Sequence, residues 1–192
     1  MRALALAASV MLTVGCNNSM APSSVNVRVS GRVLGFATNV VMPGAAVAFG
    51  NVATVSDSVG SYTLIVPAIG PYDLMVNGAF VGASQVTGST YRGDLLVDTG
   101  TCVSRYGTLA DARTLIPVVG ATVKFVGPGI DNSAVSGSDG WYRIDLGCPA
   151  NGLVGFNTTE LSVSHPNYVD PLQSIGRGVF GVRRLDFALQ AR

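Results

Sequence analysis

The chain has 192 residues, 24 of them Gly and 9 Pro, with 48% hydrophobic but only 12% charged residues, about half the charged share of an average soluble domain. Lys and Arg total 12 against 11 acidic residues, and this near-neutral balance, with a single Lys and no basic run, argues against nucleic acid as a partner. One His and three Cys are too few for a typical zinc site or haem motif, so neither a metal nor a cofactor is expected.

Met1-Arg2 opens the chain and is followed by an apolar run from Ala3 to Val14, then Gly15-Cys16 and the polar Asn17-Asn18-Ser19. Charged, apolar and small residues in that order form a secretory signal, and the run falls short of the roughly 20 apolar residues a membrane-spanning helix needs. Gly15-Cys16 resembles the lipobox of bacterial lipoproteins, in which the cysteine becomes the diacylated first residue, although Thr13 stands where that family prefers Leu. Cleavage after Ser19-Met20-Ala21 is the alternative, with Pro22 an obstacle to it. Residues 1–15 are thus expected to be a lipoprotein-type signal peptide and 16–25 a flexible tether, with lipidation at Cys16 holding the protein to the cell envelope through two acyl chains.

In the remainder, β-branched runs broken by Gly, Pro, Asn and Asp recur, and no segment carries helical periodicity for three turns. The expected class is all-β. Comparing the chain with itself shows two copies of one pattern. Gly31-Arg32-Val33-Leu34 leads to Gly44-Ala45-Ala46-Val47-Ala48-Phe49, as Gly107-Thr108-Leu109-Ala110 leads to Gly120-Ala121-Thr122-Val123-Lys124-Phe125. A turn and strand follow, Ser56-Asp57-Ser58-Val59-Gly60-Ser61-Tyr62 in one copy and Ser136-Gly137-Ser138-Asp139-Gly140-Trp141-Tyr142 in the other. Gly60 and Gly140 stand where a tight turn needs positive φ. A fourth strand is expected at Tyr72 to Val76 and Glu160 to Ser164, each trailed by a turn reaching Val81 or Val169. The copies close on Arg92-Gly93-Asp94-Leu95-Leu96-Val97 and Arg184-Leu185-Asp186-Phe187-Ala188-Leu189. Alternation turns Val47, Phe49, Val123 and Phe125 to the core and Lys124 to solvent. Tyr62 and Tyr142 point inward and give their phenols to backbone acceptors.

These blocks resemble the carboxypeptidase regulatory-like domain, a transthyretin-like β-sandwich grouped with the carbohydrate-binding-like folds and similar to repeat modules of surface adhesins. The resemblance covers residues 27 to 189 in two copies and implies tandem Ig-like β-sandwiches at 26–98 and 102–192, joined by a short linker that keeps them in touch. The family's motifs are core and turn residues, so the resemblance implies a structural or interaction unit and no catalytic residues.

Cys102 and Cys148 remain once Cys16 is set aside, an even pair expected to form a disulfide in an oxidising compartment, with two buried thiols as the alternative. His165 with Asp170 or Asp186 lacks a nucleophile elbow, and Glu160 is the only Glu. Lys124, Glu160 and Asp186 are residue types that form isopeptide bonds in some adhesin sandwiches, but alternation opposes it. Asp131, Asn132, Ser136, Ser138 and Asp139 offer oxygens for Ca²⁺, yet turn chemistry accounts for them. Trp141 is the leading recognition candidate. If Tyr142 points inward, its neighbour points outward, either as a stacking platform for a glycan or packed on the neighbouring sandwich. Arg143 and Tyr168 could complete a rim around it. The expected function is that of a non-catalytic envelope or surface lipoprotein with an envelope protein as partner. A carbohydrate-binding lipoprotein and an adhesin-like stalk are the alternatives.

Overall fold

The computed structural model describes residues 26–88, 91–98, 102–127, 130–148, 159–170, 172–175 and 181–192. The signal segment, Cys16, the tether and the linker at 99–101 lie outside the described residues, as does most of the insert after Cys148. Every regular element described is a strand, and among the described residues no helix is long and apolar enough to cross a membrane.

The first copy contains β1 (Val27–Gly35), β2 (Ala46–Phe49), β3 (Val52–Val55), β4 (Ser61–Val66), β5 (Gly70–Val76), β6 (Ala79–Val86) and β7 (Leu95–Val97). The second contains β8 (Val103–Asp111), β9 (Thr122–Gly127), β10 (Ile130–Val135), β11 (Trp141–Gly147), β12 (Thr159–Ser164), β13 (Leu172–Ile175), β14 (Val182–Leu185) and β15 (Phe187–Leu189). Pairing repeats along with sequence. β1 takes β4 antiparallel and β7 parallel, as β8 takes β11 and β15. In the facing layer β2 lies between β3 and β5, as β9 lies between β10 and β12.

Each copy is thus two sheets closed on an apolar filling. Val29, Tyr62, Leu64 and Leu95 meet Val47, Phe49, Leu74 and Val76 in the first. In the second, Leu109, Tyr142, Ile144 and Phe187 meet Val123, Phe125, Leu161 and Val163. The alternation that buries Val123 and Phe125 exposes Lys124, as the period of two requires. Gly60 and Gly140 have φ of 72° and 73°, the left-handed geometry that closes the turn before β4 and β11.

Three local features differ from the sequence reading. Only Asn77-Gly78 forms the turn after β5, with φ of 50° and 78°, and Ala79 to Val81 already belong to β6. Asn-Gly suits a two-residue hairpin, which is why the chain reverses early. The strands β3 and β10 return on β2 and β9 as short hairpin arms. The second closing segment divides at Asp186 into β14 and β15, because β14 pairs in parallel with both β8 and β6.

That last pairing decides the architecture. The strand β14 joins the four-stranded layer of the first sandwich to β8 and β11 of the second, giving an eight-stranded sheet whose main path runs β11-β8-β14-β6-β5-β2-β3. Since β6, β14 and β8 are parallel, the sandwiches lie side by side. A third apolar cluster of Phe36, Leu96, Cys102, Tyr106 and Val182, with Leu34 and Trp141 packed on it, fills the seam.

Candidate functional site

The seam between the sandwiches gathers more charged and aromatic side chains than any other described region. It is built from a device that both copies share. Asp94 accepts a hydrogen bond from the Arg32 amide at 2.9 Å, and Asp186 accepts one from the Thr108 amide at 2.8 Å. Two residues before each Asp stands an arginine that pairs with it, Arg92 at 2.9 Å and Arg184 at 3.2 Å. The Tyr62 phenol donates to the Gly93 carbonyl and the Tyr142 phenol to that of Leu185 at 2.7 Å. Burial pushes both phenols well above their ordinary pKa, so they stay protonated and keep donating.

The second copy's version is sealed inside the molecule. Arg184 and Asp186 are 0% and 1% exposed. Ser84 Oγ and the Gln85 amide, both of the first sandwich, donate to Asp186 Oδ2 at 2.7 and 3.0 Å. Arg184 donates to the carbonyls of Asp94 at 2.6 Å and Arg92 at 2.5 Å, and its guanidinium lies 4.8 Å from the Tyr91 ring. Burial alone would lower the Arg184 pKa, but Asp186 and the surrounding tyrosines raise it above the ordinary value. A buried ion pair is costly unless its remaining hydrogen-bonding capacity is met, and here backbone and side chains of both sandwiches meet it.

Trp141 lies on the other side of the same network. Its ring is half-buried, 5.5 Å from Tyr106, with the Arg92 guanidinium 4.2 Å above it and that of Arg184 at 5.4 Å. Arg92 also pairs with Asp139 at 3.0 Å, joining the first sandwich to the turn before β11. Burial raises the Asp139 pKa, but the Trp141 amide and Arg92 outweigh it and hold the carboxyl below its ordinary 3.8. Tyr106 is fully buried; its hydroxyl accepts from the Leu96 amide at 2.8 Å, and burial pushes its pKa up to about 12. Arg143 faces the seam as well, with its guanidinium 4.5 Å from the Phe36 ring and its Nε 2.7 Å from Asp145.

Of the two positions the sequence leaves open to Trp141, the structure gives it the packed one. A sugar-stacking surface needs an open ring face, and Arg92 occupies one. Tyr168 does not complete a rim: it sits by His165, with ring centroids 5.1 Å apart, and its raised pKa reflects burial and a hydrogen bond to Asp111. His165 accepts from the Asn167 amide, Asp170 pairs with Arg192 at 3.7 Å, and Asp186 belongs to the seam, so no triad assembles around that imidazole. Lys124 pairs with Asp131 at 3.1 Å on the surface, away from buried Asp186, so the isopeptide trio is not brought together. The carboxylates weighed as calcium ligands are held by cations, Asp131 by Lys124 and Asp139 by Arg92. Among the described residues no group of three or more His, Cys, Asp or Glu could hold a metal.

Cys102 and Cys148 form a disulfide that ties the start of β8 to the end of β11 beside the seam. Sequence reasoning missed the Arg-x-Asp pairs as functional groups, although their signal was present in the matched Arg92-Gly93-Asp94 and Arg184-Leu185-Asp186. It also missed Arg105. This residue stands on β8 where the first copy has Val29, 1% exposed, and it donates to the carbonyls of Ser104 and Gly181 at 2.7 and 2.8 Å. Burial and the Arg183 cation bring its pKa down to about 10, which leaves it charged at neutral pH.

No family model matches the sequence, and no curated protein matches it. Among solved structures, the Bacillus anthracis TIE protein shares 13% identity over 86% of this chain and 34% of its own, with a TM-score of 0.34. A Streptococcal ancillary pilin shares 15% over 87% and 62%, at 0.30. The shaft pilin SpaA from Lactobacillus rhamnosus GG shares 9% over 88% and 98%, at 0.33. The chain spans about a third of the first and under two thirds of the second. What defines the class is the strand pairing described above: an all-β protein of two fused sandwiches.

Proposed function

We propose that the protein is a non-catalytic component of the cell envelope, anchored by acyl chains on Cys16, whose fused sandwiches act as a structural or protein-interaction unit. The observation that carries this reading is the use made of the seam's polar groups. Arg92, Arg184, Asp139, Asp186, Tyr106 and Trp141 converge, but each is engaged in holding one sandwich to the other, and the Asp94 carboxylate is taken up by the Arg32 amide and Arg92. General acid–base or nucleophilic work needs such groups free to meet a substrate. The matched pairing in both copies, with the turn glycines and inward tyrosines, supports the carboxypeptidase regulatory-like, transthyretin-like reading of each module.

Side-by-side packing favours a compact block at the membrane surface over an extended stalk. Labelling cells with an alkyne-bearing fatty acid tests the address: the chain is expected in the membrane fraction carrying label, and Cys16→Ser is expected to lose both. Unlabelled wild-type chain in the cytoplasm would overturn the proposal. The glycan alternative is tested by titrating oligosaccharides against Trp141 fluorescence and, in parallel, by calorimetry, and saturable quenching together with a binding heat that Trp141→Ala abolishes would replace the protein-interaction reading.

A further inference from the structure

The two copies differ in what lies beside the first half of their first strand. In the second copy β14 accompanies β8 there in parallel, with Val182 opposite Ser104, Arg183 opposite Arg105 and Arg184 opposite Tyr106. The repeat sets Arg28, Val29 and Ser30 of β1 at these three positions, and no described strand accompanies them on that side. β7 joins β1 only from Val33 onward, and Ser30 meets Arg92 in an isolated parallel bridge. The segment joining β6 to Arg92 is shorter than the one joining β13 to Arg184, which leaves it no length to run beside β1. A cleft of about 480 Å³ stands at the unfilled place, with Val27, Arg28, Ser30, Ile69 and Tyr91 in its lining.

Its backbone is set for a strand. The Ser30 carbonyl accepts from the Gly93 amide and the Arg32 amide donates to Asp94, both on the side away from β4. Alternation along β1 therefore turns the Arg28 amide and carbonyl and the Ser30 amide into the cleft, where no described residue bonds them. In the second copy the matching Ser104 amide is used, donating to the Gly181 carbonyl at 3.4 Å just ahead of β14. Side chains specify the rest. Val27, Val29 and Tyr91 are buried, so a residue facing inward beside them has to be apolar. Arg28 is exposed and has no ion pair among the described residues, so an acidic residue suits the outer face beside it. The chain's own residues 16–25 contain no acid and cannot supply one. A lipid surface fits less well, because hydrocarbon cannot bond the inward amides and carbonyl.

We propose that this cleft is the docking site for an extended segment of an envelope protein, which adds as a strand parallel to β1, as β14 does to β8, with an acidic residue beside Arg28 and an apolar one beside Val29. The proposal rests on the protein-interaction reading above and names the kind of partner it takes.

The test uses the full chain carrying Cys16→Ser, so that acyl chains do not drive association, and the capped peptide acetyl-Val-Asp-Val-Thr-amide as probe, followed by amide NMR. Saturable shifts of the Arg28 and Ser30 amides are expected, while the matching Ser104 amide, already covered, stays still. A peptide with Lys in place of Asp is expected to bind about fivefold or more weakly. Arg28→Glu, which alters only an exposed side chain, is expected to reverse that preference. No saturable shift at about 10 mM peptide overturns the proposal. So does binding indifferent to the peptide's charge, or an Arg28 amide already protected from exchange in the free chain. Shifts at Arg28 that follow protein concentration or phosphatidylglycerol vesicles instead of peptide assign the cleft to a second copy or to lipid, and overturn it as well. Acyl labelling decides the envelope reading separately, so a labelled membrane protein that ignores the peptide rejects the cleft alone.

Discussion

Replacing Arg184 with Ala tests whether the sandwiches are one folding unit. Arg184 is 0% exposed beside an Asp186 at 1%, so the change leaves a buried carboxylate without its cation. It also leaves the carbonyls of Arg92 and Asp94 without that donor. Breaking a buried pair from one side costs about 3–5 kcal/mol, and each orphaned buried acceptor adds about 1 kcal/mol or more. The donors remaining on Asp186, from Ser84, Gln85 and Thr108, soften the first figure. A loss of about 3–4 kcal/mol is therefore expected, a large part of the typical 5–15 kcal/mol of a folded domain, to use an order-of-magnitude range. Urea unfolding at neutral pH measures it, followed by Trp141 fluorescence and by far-UV circular dichroism. Trp141 is the only Trp and lies 5.4 Å from the Arg184 guanidinium, so it reports on the seam while dichroism reports on both sandwiches. The two curves are expected to coincide in the wild type; in Arg184→Ala the fluorescence transition comes first. The reasoning fails if the loss is under about 1 kcal/mol, because a pair that matters so little does not join the sandwiches.

Other consequences are as specific. Gly82 has φ of 141°, and a Cβ there would overlap the Arg184 backbone, so Gly82→Ala is expected to detach β14 from β6 and cost about 2 kcal/mol or more, visible as faster amide exchange along β14. Buried Ser136 accepts from the Ala121 amide at 3.0 Å and donates to the Val118 carbonyl at 2.7 Å. Ser136→Ala leaves both unmet and is expected to cost about 1–3 kcal/mol in the same urea assay, as is Ser56→Ala, which breaks the matching bonds to Ala45 and Met42. Asp139 has its folded pKa below 3.8. Its link to Arg92 therefore adds stability above that value and loses it as pH falls through the lower folded pKa. Asp139→Asn should flatten the slope of stability against pH in that acid window, and an unchanged slope would remove the carboxylate from the account. Reducing the Cys102–Cys148 disulfide opens a loop with a sequence separation of 46 and is expected to cost about 4 kcal/mol in the chain-entropy model, read as a lower urea midpoint with reductant.

The sequence alone determined what depends on neighbours along the chain. Period-two alternation set which side of β2 and β9 is buried, positive φ required Gly60 and Gly140, and the doubled Gly, Asp and Tyr pattern gave two copies of one sandwich. Even the phenols of Tyr62 and Tyr142 were legible, since a buried hydroxyl has to find an acceptor. Tertiary structure decided how the copies combine. The pairing of β14 with β6 sets Arg184 against Gly82, about a hundred residues away in the chain, and only Gly82 leaves room for that backbone to approach. The pairing gave Trp141 the packed one of the two positions the sequence left open and turned a repeated Arg-x-Asp into a buried lock in one copy and a half-exposed pair in the other. Local propensities cannot express this difference, because desolvation depends on what another part of the chain brings to the same place.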